Sequence, residues 1–347
     1  MKPFSTKYLF SSLSLVFLIF GFWFFYPSSD EKFPIIKDKL KGVCWVGGRE
    51  GLKGGELKNL ASIGANAMSQ TPFGWQSDPN SPEIRWSLED DRKWWGESGK
   101  GLEATLDSGN IHQISTMLKP HLWVRGAWPG EIEMKSETDW QLWFEEYEAF
   151  ILDYANFAER TGMPFFCIGT ELEKSSHRTA DWKKIIQAIR KVYSGQLTYA
   201  ANFTEFEQVE FWTDLDFIGI QAYFPLSEKD EPQLKDLLKS WRSHLKIIES
   251  TVIRFQKPVI FTEIGYCNTA DAAREPWVWP NERKETALSE AIQALCYEAF
   301  FQSVWEKDWL AGVYFWKWYP DGKRRDPDFT PQGLQAEEVL RHYFSNL

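Results

Sequence analysis

Phe165-Phe166-Cys167-Ile168-Gly169-Thr170-Glu171 decides how the rest of the chain is read. A short apolar run follows Pro164, a glycine interrupts it, and an acid stands where it ends. Continuous apolar runs of this length, bounded by Pro and Gly, form strands buried on both faces. Such strands belong to parallel sheets with helices packed outside. The carboxyl ends of those strands are where α/β folds keep their chemistry. A second stretch, Pro258-Val259-Ile260-Phe261-Thr262-Glu263-Ile264-Gly265, repeats the arrangement. Each acid follows a threonine at the end of a buried strand, and together they make a candidate pair for acid–base and nucleophilic work.

Outward from these two stretches the same alternation continues. Residues 42–47 read as a first strand, 56–63 as a short helix, and 65–69 as a second strand. Residues 71–100 form a long Trp-rich insertion holding Phe73, Trp75, Trp86, Trp94 and Trp95, and insertions of that length are usually functional or disordered. A helix is expected within 102–117 and a third strand at 118–123. Ser136 caps an amphipathic helix reaching about Arg160, with Trp140, Trp143, Phe144, Tyr147, Phe150 and Ile151 on its apolar stripe. Beyond the central strand come a helix at 182–193, strands at 197–202 and 217–223, and a helix at 233–255. The strand carrying Glu263, a helix at 285–305, a strand at 312–316 and a helix at 335–344 complete the series. Eight strands alternating with helices, with no Gly-x-Gly-x-x-Gly after the first, predict a (β/α)8 TIM barrel. A doubly wound sheet is the alternative, and it suits eight units less well.

Composition narrows the function. The chain is 43% hydrophobic and 25% charged, which is ordinary for a globular protein, but 16% is aromatic, with 19 Trp. Most of those rings belong to a core, and a few can pave a groove for flat apolar faces such as those of sugars. The net charge of −10, with no basic block in the body, argues against nucleic acid and polyanionic substrates. The four Cys show no CxxC spacing and the five His no metal-ligand motif, so the thiols read as buried and no metal or cofactor is implied.

Lys2 and Lys7 precede an apolar stretch, residues 8–26, that ends in Trp23-Phe24-Phe25-Tyr26. It is about 19 residues long, enough to span a bilayer, and its terminal rings suit a membrane interface. No Ala-x-Ala-like cleavage site follows. Residues 1–32 are therefore expected to be a transmembrane signal anchor with a short linker, and 33–347 an extracytoplasmic catalytic domain. Secretion after cleavage is the alternative. A monomer is expected.

Glu171 ends the fourth predicted strand and Glu263 the seventh, so a closed barrel turns both toward its mouth. Two carboxyl groups about 5–5.5 Å apart perform retaining glycoside hydrolysis, one attacking as nucleophile and the other protonating the leaving oxygen. The alternative is that either acid merely bonds a helix terminus or an Arg at the rim. The body, from about Lys41 onward, resembles clan A of the glycoside hydrolases and, within it, family 113, the β-mannanases. The resemblance rests on Ile168-Gly169-Thr170-Glu171-Leu172, Phe261-Thr262-Glu263-Ile264-Gly265-Tyr266 and Phe315-Trp316-Lys317-Trp318-Tyr319-Pro320. It implies that Glu171 is the acid/base and Glu263 the nucleophile. Most of that clan carry Asn before the acid/base; here Thr170 stands in its place, with a hydroxyl able to bond the sugar or Glu171.

By strand end, Trp316 is expected to stack under the sugar in the −1 subsite, and Tyr223 to donate its hydroxyl to Glu263. Asn202, Lys119 and His121 are candidates for bonding sugar hydroxyls, with His121 alternatively a core histidine. Trp45 and Trp128 either pave the groove or pack in the core. Glu173 and Arg178 are expected to pair with each other. The implied activity is retaining cleavage of β-1,4-linked mannan-type polysaccharide or oligosaccharide. A transglycosylase using the same residues, or a non-catalytic carbohydrate-binding barrel, are the competing readings.

Overall fold

The computed structural model describes residues 38–89, 94–283 and 286–346. The chain runs through β1 (Leu40–Trp45), α1 (Glu56–Ser62), β2 (Ala67–Gln70), β3 (Phe73–Gln76), β4 (Ile84–Arg85) and α2 (Gly99–Ile111). It continues through β5 (Ser115–Leu118), β6 (His121–Val124), α3 (Glu137–Thr161), β7 (Phe165–Thr170), α4 (Glu173–Ser176) and α5 (Thr179–Val192). The last part holds β8 (Gln196–Asn202), β9 (Ile218–Gln221), α6 (Leu234–Phe255), β10 (Val259–Ile264), α7 (Glu290–Phe300), β11 (Leu310–Trp318) and α8 (Gln335–Asn346). Eight parallel strands close into a barrel in the order β1-β11-β10-β9-β8-β7-β5-β2. The sequence expectation of an eight-stranded α/β barrel therefore holds.

The apolar runs are continuous because both faces of each strand are covered. Inside the barrel, Cys44, Ala67, Met117, Cys167, Ala200, Ile260 and Tyr314 form one buried cluster. Outside it, the strands pack against the helices in a second, larger core that includes Trp143, Tyr147, Phe150 and Trp182. The capped helix predicted from Ser136 is α3, and Ser136 Oγ accepts the Asp139 amide at 3.1 Å. Gly162, at φ 73°, ends it in the left-handed conformation that glycine adopts most readily. All four cysteines are buried and free.

Two sequence expectations need correction. The predicted third strand at 118–123 is two strands: β5 ends at Leu118 in the barrel, and His121 begins β6 in a separate sheet ordered β4-β3-β6. The break falls at Pro120, which has no N–H to donate to a ladder. The partner strand breaks at the same level, at Pro72. Gln70 pairs with Leu118 below the two prolines and Phe73 with His121 above them, so the register between the two strands is unchanged. The same parallel pair thus leaves the barrel and resumes above its rim, and the Trp-rich insertion supplies β3 and β4 of this second sheet. The helix expected within 102–117 starts earlier, at Gly99, and stops at Ile111 so that Ser115 can open β5.

Among the described residues no helix is long and apolar enough to cross a membrane. The expected membrane segment at 8–26 lies outside the described residues.

Tyr314 fills the barrel axis opposite Gly42, where a Cβ would lie 2.6 Å from the Tyr314 ring. A Gly42→Ala substitution is therefore expected to overpack the barrel and destabilise it by about 1–3 kcal/mol. Thermal unfolding checks this; an unchanged midpoint would show that the ring has room to move.

Candidate active site

Glu263 lies in β10 and is buried. Both of its oxygens are taken. The Lys119 ammonium donates to Oε1 and lies 3.5 Å from the Thr262 carbonyl. The Tyr223 hydroxyl donates to Oε2 at 2.7 Å. Lys119 follows the last residue of β5, and in the ring of eight that strand stands opposite β10, so its side chain reaches across the barrel mouth. Burial opposes the Lys119 charge, but the Glu263 charge and the hydrogen bond to it outweigh that and lift the ammonium above its ordinary range. His121 Nε2 is 3.9 Å from Glu263 Oε1 and has no hydrogen-bond partner among the described residues. Burial, and then the Lys119 charge, hold this imidazole well below its usual pKa, so it is neutral.

Glu171 is built differently. It directly follows β7, where the backbone turns into the left-handed region at φ 51°. Its amide donates to the Ala200 carbonyl at 2.8 Å, which pins that turn to β8. Such a conformation costs a non-glycine residue about 1–2 kcal/mol and is characteristic of functional positions. Asn202 Nδ2 donates to Glu171 Oε1 at 2.7 Å, and Trp128 Nε1 donates to Oε2 at 2.8 Å. These bonds favour the charged form, yet burial and then the Glu263 charge push the carboxyl up to about 7. One acid thus faces an ammonium while the other holds a proton near neutrality. That division of labour is what acid–base catalysis by two carboxyls needs.

The remaining sequence candidates separate. Tyr223, Asn202, Trp128, Lys119 and His121 all gather around the two acids. Lys119, however, is fully buried on Glu263 and so is placed as the acid's counter-ion, away from open groove. Trp45 is buried and packs within the main core. Thr170 is buried, and the contact its hydroxyl makes is with Cys167 Sγ at 4.0 Å; Asn202 occupies the role of amide donor to Glu171. Trp316 is half-buried at the end of β11, with the Lys119 ammonium 5.9 Å from its ring centroid and the Trp279 ring edge-on at 6.2 Å. Arg178 pairs with Glu137 and Asp181, and Glu173 accepts from Thr204, so the expected pairing between Glu173 and Arg178 is not made. Among the described residues no three His, Cys, Asp or Glu side chains gather as metal ligands would.

Sequence reading passed over Glu205. It is fully buried behind Asn202, accepts the Asn202 amide at 3.0 Å and the Tyr199 hydroxyl at 2.7 Å. Tyr199 in turn accepts the Leu172 amide at 2.8 Å, so one buried carboxyl ties the segment after Glu171 to the strand that carries its amide donor. The signal was available: Asn202 and Glu205 stand three apart, the spacing of a reciprocal capping box. Burial pushes Glu205 up to about 8 from 4.5. A carboxyl raised in the folded state binds more protons there than in the unfolded chain, so stability falls as pH rises through that window. Glu205→Gln, which keeps the shape without the charge, is expected to gain on wild type between about pH 4.5 and 8. Paired unfolding curves across that range check the sign; a constant difference would mean Glu205 does not titrate there.

The description Glycoside Hydrolase Family 113 matches residues 52–330. A β-mannanase of that family from Alicyclobacillus acidocaldarius, solved in complex with ManMIm, is 25% identical with a TM-score of 0.77 over 88% of this chain and 97% of its own. Another family 113 β-1,4-mannanase, 23% identical, superposes with a TM-score of 0.76 over 89% of this chain and 100% of its own. A family 5 mannosidase from Rhizomucor miehei, at 14% identity and a TM-score of 0.56, covers 89% of this chain and 93% of its own and shares the fold. No curated protein matches the chain.

Proposed function

The chain belongs to glycoside hydrolase family 113, and from that membership we propose that it cleaves β-1,4-linked mannan-type polysaccharide or oligosaccharide with retention of configuration, Glu171 serving as acid/base and Glu263 as nucleophile. The observation that carries the assignment of roles is the Glu171 carboxyl raised to about 7 beside a Glu263 held by Lys119 and Tyr223. An acid must arrive protonated, and a nucleophile must present an ionised oxygen.

In the first step a Glu263 oxygen attacks the anomeric carbon while the glycosidic C–O bond breaks. The leaving oxygen takes the Glu171 proton. The sugar is then held to Glu263 as an ester, and Glu171, now a carboxylate, accepts a proton from water as that water attacks the same carbon and frees Glu263. Asn202 and Trp128 orient Glu171 in both steps. Trp316 offers the ring on which the −1 sugar stacks. The mannanase activity of the family 113 relatives and the acidic, ring-rich composition support a neutral mannose-containing polymer as substrate. The catalytic domain is placed outside the cytoplasm on a membrane anchor, a reading supported by the apolar residues 8–26 behind Lys2 and Lys7.

Activity is expected to fall as pH rises through about 7, because Glu171 then loses the proton it donates. Removing each acid should fail differently. Glu171→Ala should still glycosylate itself from an aryl mannoside with an acidic phenol, then stall, and added azide should restore turnover with a glycosyl azide of retained configuration. Glu263→Ala with azide should give the inverted product, because azide enters from the vacated face. Product configuration by NMR decides; exchanged configurations would reverse the roles, and inversion by wild type would overturn the mechanism.

For localisation, the full-length protein should sediment with membranes and resist salt extraction. A soluble form beginning near Ser28, or a cytosolic pool, would overturn the anchor.

A further inference from the structure

Above the barrel rim, β3 and β6 lie side by side in parallel with Phe73 opposite His121 and Trp75 opposite Trp123. Strand side chains alternate between faces, so these four share one face of the small sheet. The other face, Gly74, Gln76, Leu122 and Val124, is buried. Among the described residues the rings toward its outer end are open: Trp75 is 46% and Trp123 54% exposed. The two indoles lie 6.0 Å apart, Phe73 is 6.5 Å from Trp75, and Phe73 meets the His121 ring edge-on at 5.5 Å. His121 in turn stands 3.9 Å from Glu263. An unbroken row of rings therefore leads from the candidate nucleophile out onto solvent-exposed sheet.

We propose that this face is a distal sugar-binding platform, on which Trp75 and Trp123 stack rings of the same β-linked chain whose scissile bond lies between Glu171 and Glu263. The proposal rests on the glycosidase reading above. Its occupant follows from continuity and from charge. The row begins at the reacting carboxylate, so whatever extends from the site along it is the substrate itself. Arg85, paired across from Trp75 on β4, is already engaged by Glu83 at 2.9 Å, and the chain's net charge of −10 disfavours a polyanion. Paired exposed indoles expose apolar area that a neutral sugar face covers well, and large aromatics are the side chains that concentrate binding energy at recognition surfaces. The prolines at the kink explain why the platform holds its place: the strands beneath it are the barrel's own, in the same register.

The test compares mannobiose-length and mannohexaose-length ligands in wild type, Trp75→Ala, Trp123→Ala and Trp75→Phe. Binding is read by calorimetry on each protein carrying Glu171→Gln, and turnover on each protein without it. Wild type should gain affinity and kcat/KM from the short to the long ligand. Each alanine variant should lose about tenfold or more of that gain, while Trp75→Phe keeps most of it. Thermal unfolding of every variant separates loss of stacking from loss of fold. An unaltered gain in both alanine variants overturns the platform. So does a wild type that binds the long ligand no better than the short one, or a concentration-dependent dimer that disappears in the variants with the gain intact. Binding that depends on Trp75 and Trp123 without any turnover by wild type would leave the platform standing and remove the catalytic reading.

Discussion

A buried carboxylate with a buried ammonium on it is the constraint around which the mouth of this barrel is arranged. The interior below Glu263 is filled with Cys44, Ala67, Cys167, Ala200, Ile260 and Tyr314, and the Glu263 carboxylate is bonded by Lys119 and Tyr223 instead. These partners come from other strand ends. Tyr223 comes from just past the neighbouring β9 and Lys119 from β5 on the opposite side. Removing one member of such a pair typically costs about 3–5 kcal/mol, because the other charge is left unmatched in a poor solvent. The pair thus fixes a distance across the barrel, and closing the barrel correctly is what completes it.

The second carboxyl is raised by what the first has consumed. With Lys119 committed to Glu263, Glu171 is left with two neutral donors, Trp128 and Asn202, and a negative neighbour. Neutral donors orient a carboxylate without supplying a full opposing charge, so burial and the Glu263 charge dominate and the proton stays. Orientation then has to be secured by the backbone. The left-handed turn at Glu171, its amide bond to Ala200 and the Glu205–Tyr199–Leu172 chain behind it provide that. Glu205 is itself raised to about 8, so two carboxyls near one strand end oppose folding at neutral pH for the sake of where Glu171 points.

The parts of this arrangement that could be read in the sequence are those written in continuous runs. β7 and β10 are covered on both faces, so their residues are apolar without relief, and the acid that ends each one stands out. α3 was legible from its cap and stripe. What escaped were features in which a residue's role depends on a partner far away in sequence. Lys119 reads as an ordinary polar residue beside a strand, and only the position of β10 opposite β5 makes it a buried counter-ion. Trp45 and Trp128 look alike as letters, yet one is sealed in the core and the other reaches Glu171. The second sheet escaped because its strands are four residues or fewer, half-exposed and alternating, below the length at which periodicity separates strand from loop.

Pro72 and Pro120 give that second sheet its meaning in the architecture. Below them, β2 and β5 are bound into a closed ring where a change of register would unseat Lys119 from Glu263. Above them the same two strands are released from the ring, because a residue without an N–H cannot continue a ladder to a third neighbour. Their mutual register persists, so the upper sheet inherits its position from the barrel while escaping the barrel's packing demands. Its inner face is fixed by contact with α3, where the Trp143 indole donates to Gln76 at 3.1 Å. Its outer face has no such obligation and can carry whatever rings the ligand requires. A barrel whose interior tolerates little change thereby acquires a binding surface whose side chains vary at low cost to folding, built on the strand that holds the counter-ion of its candidate nucleophile.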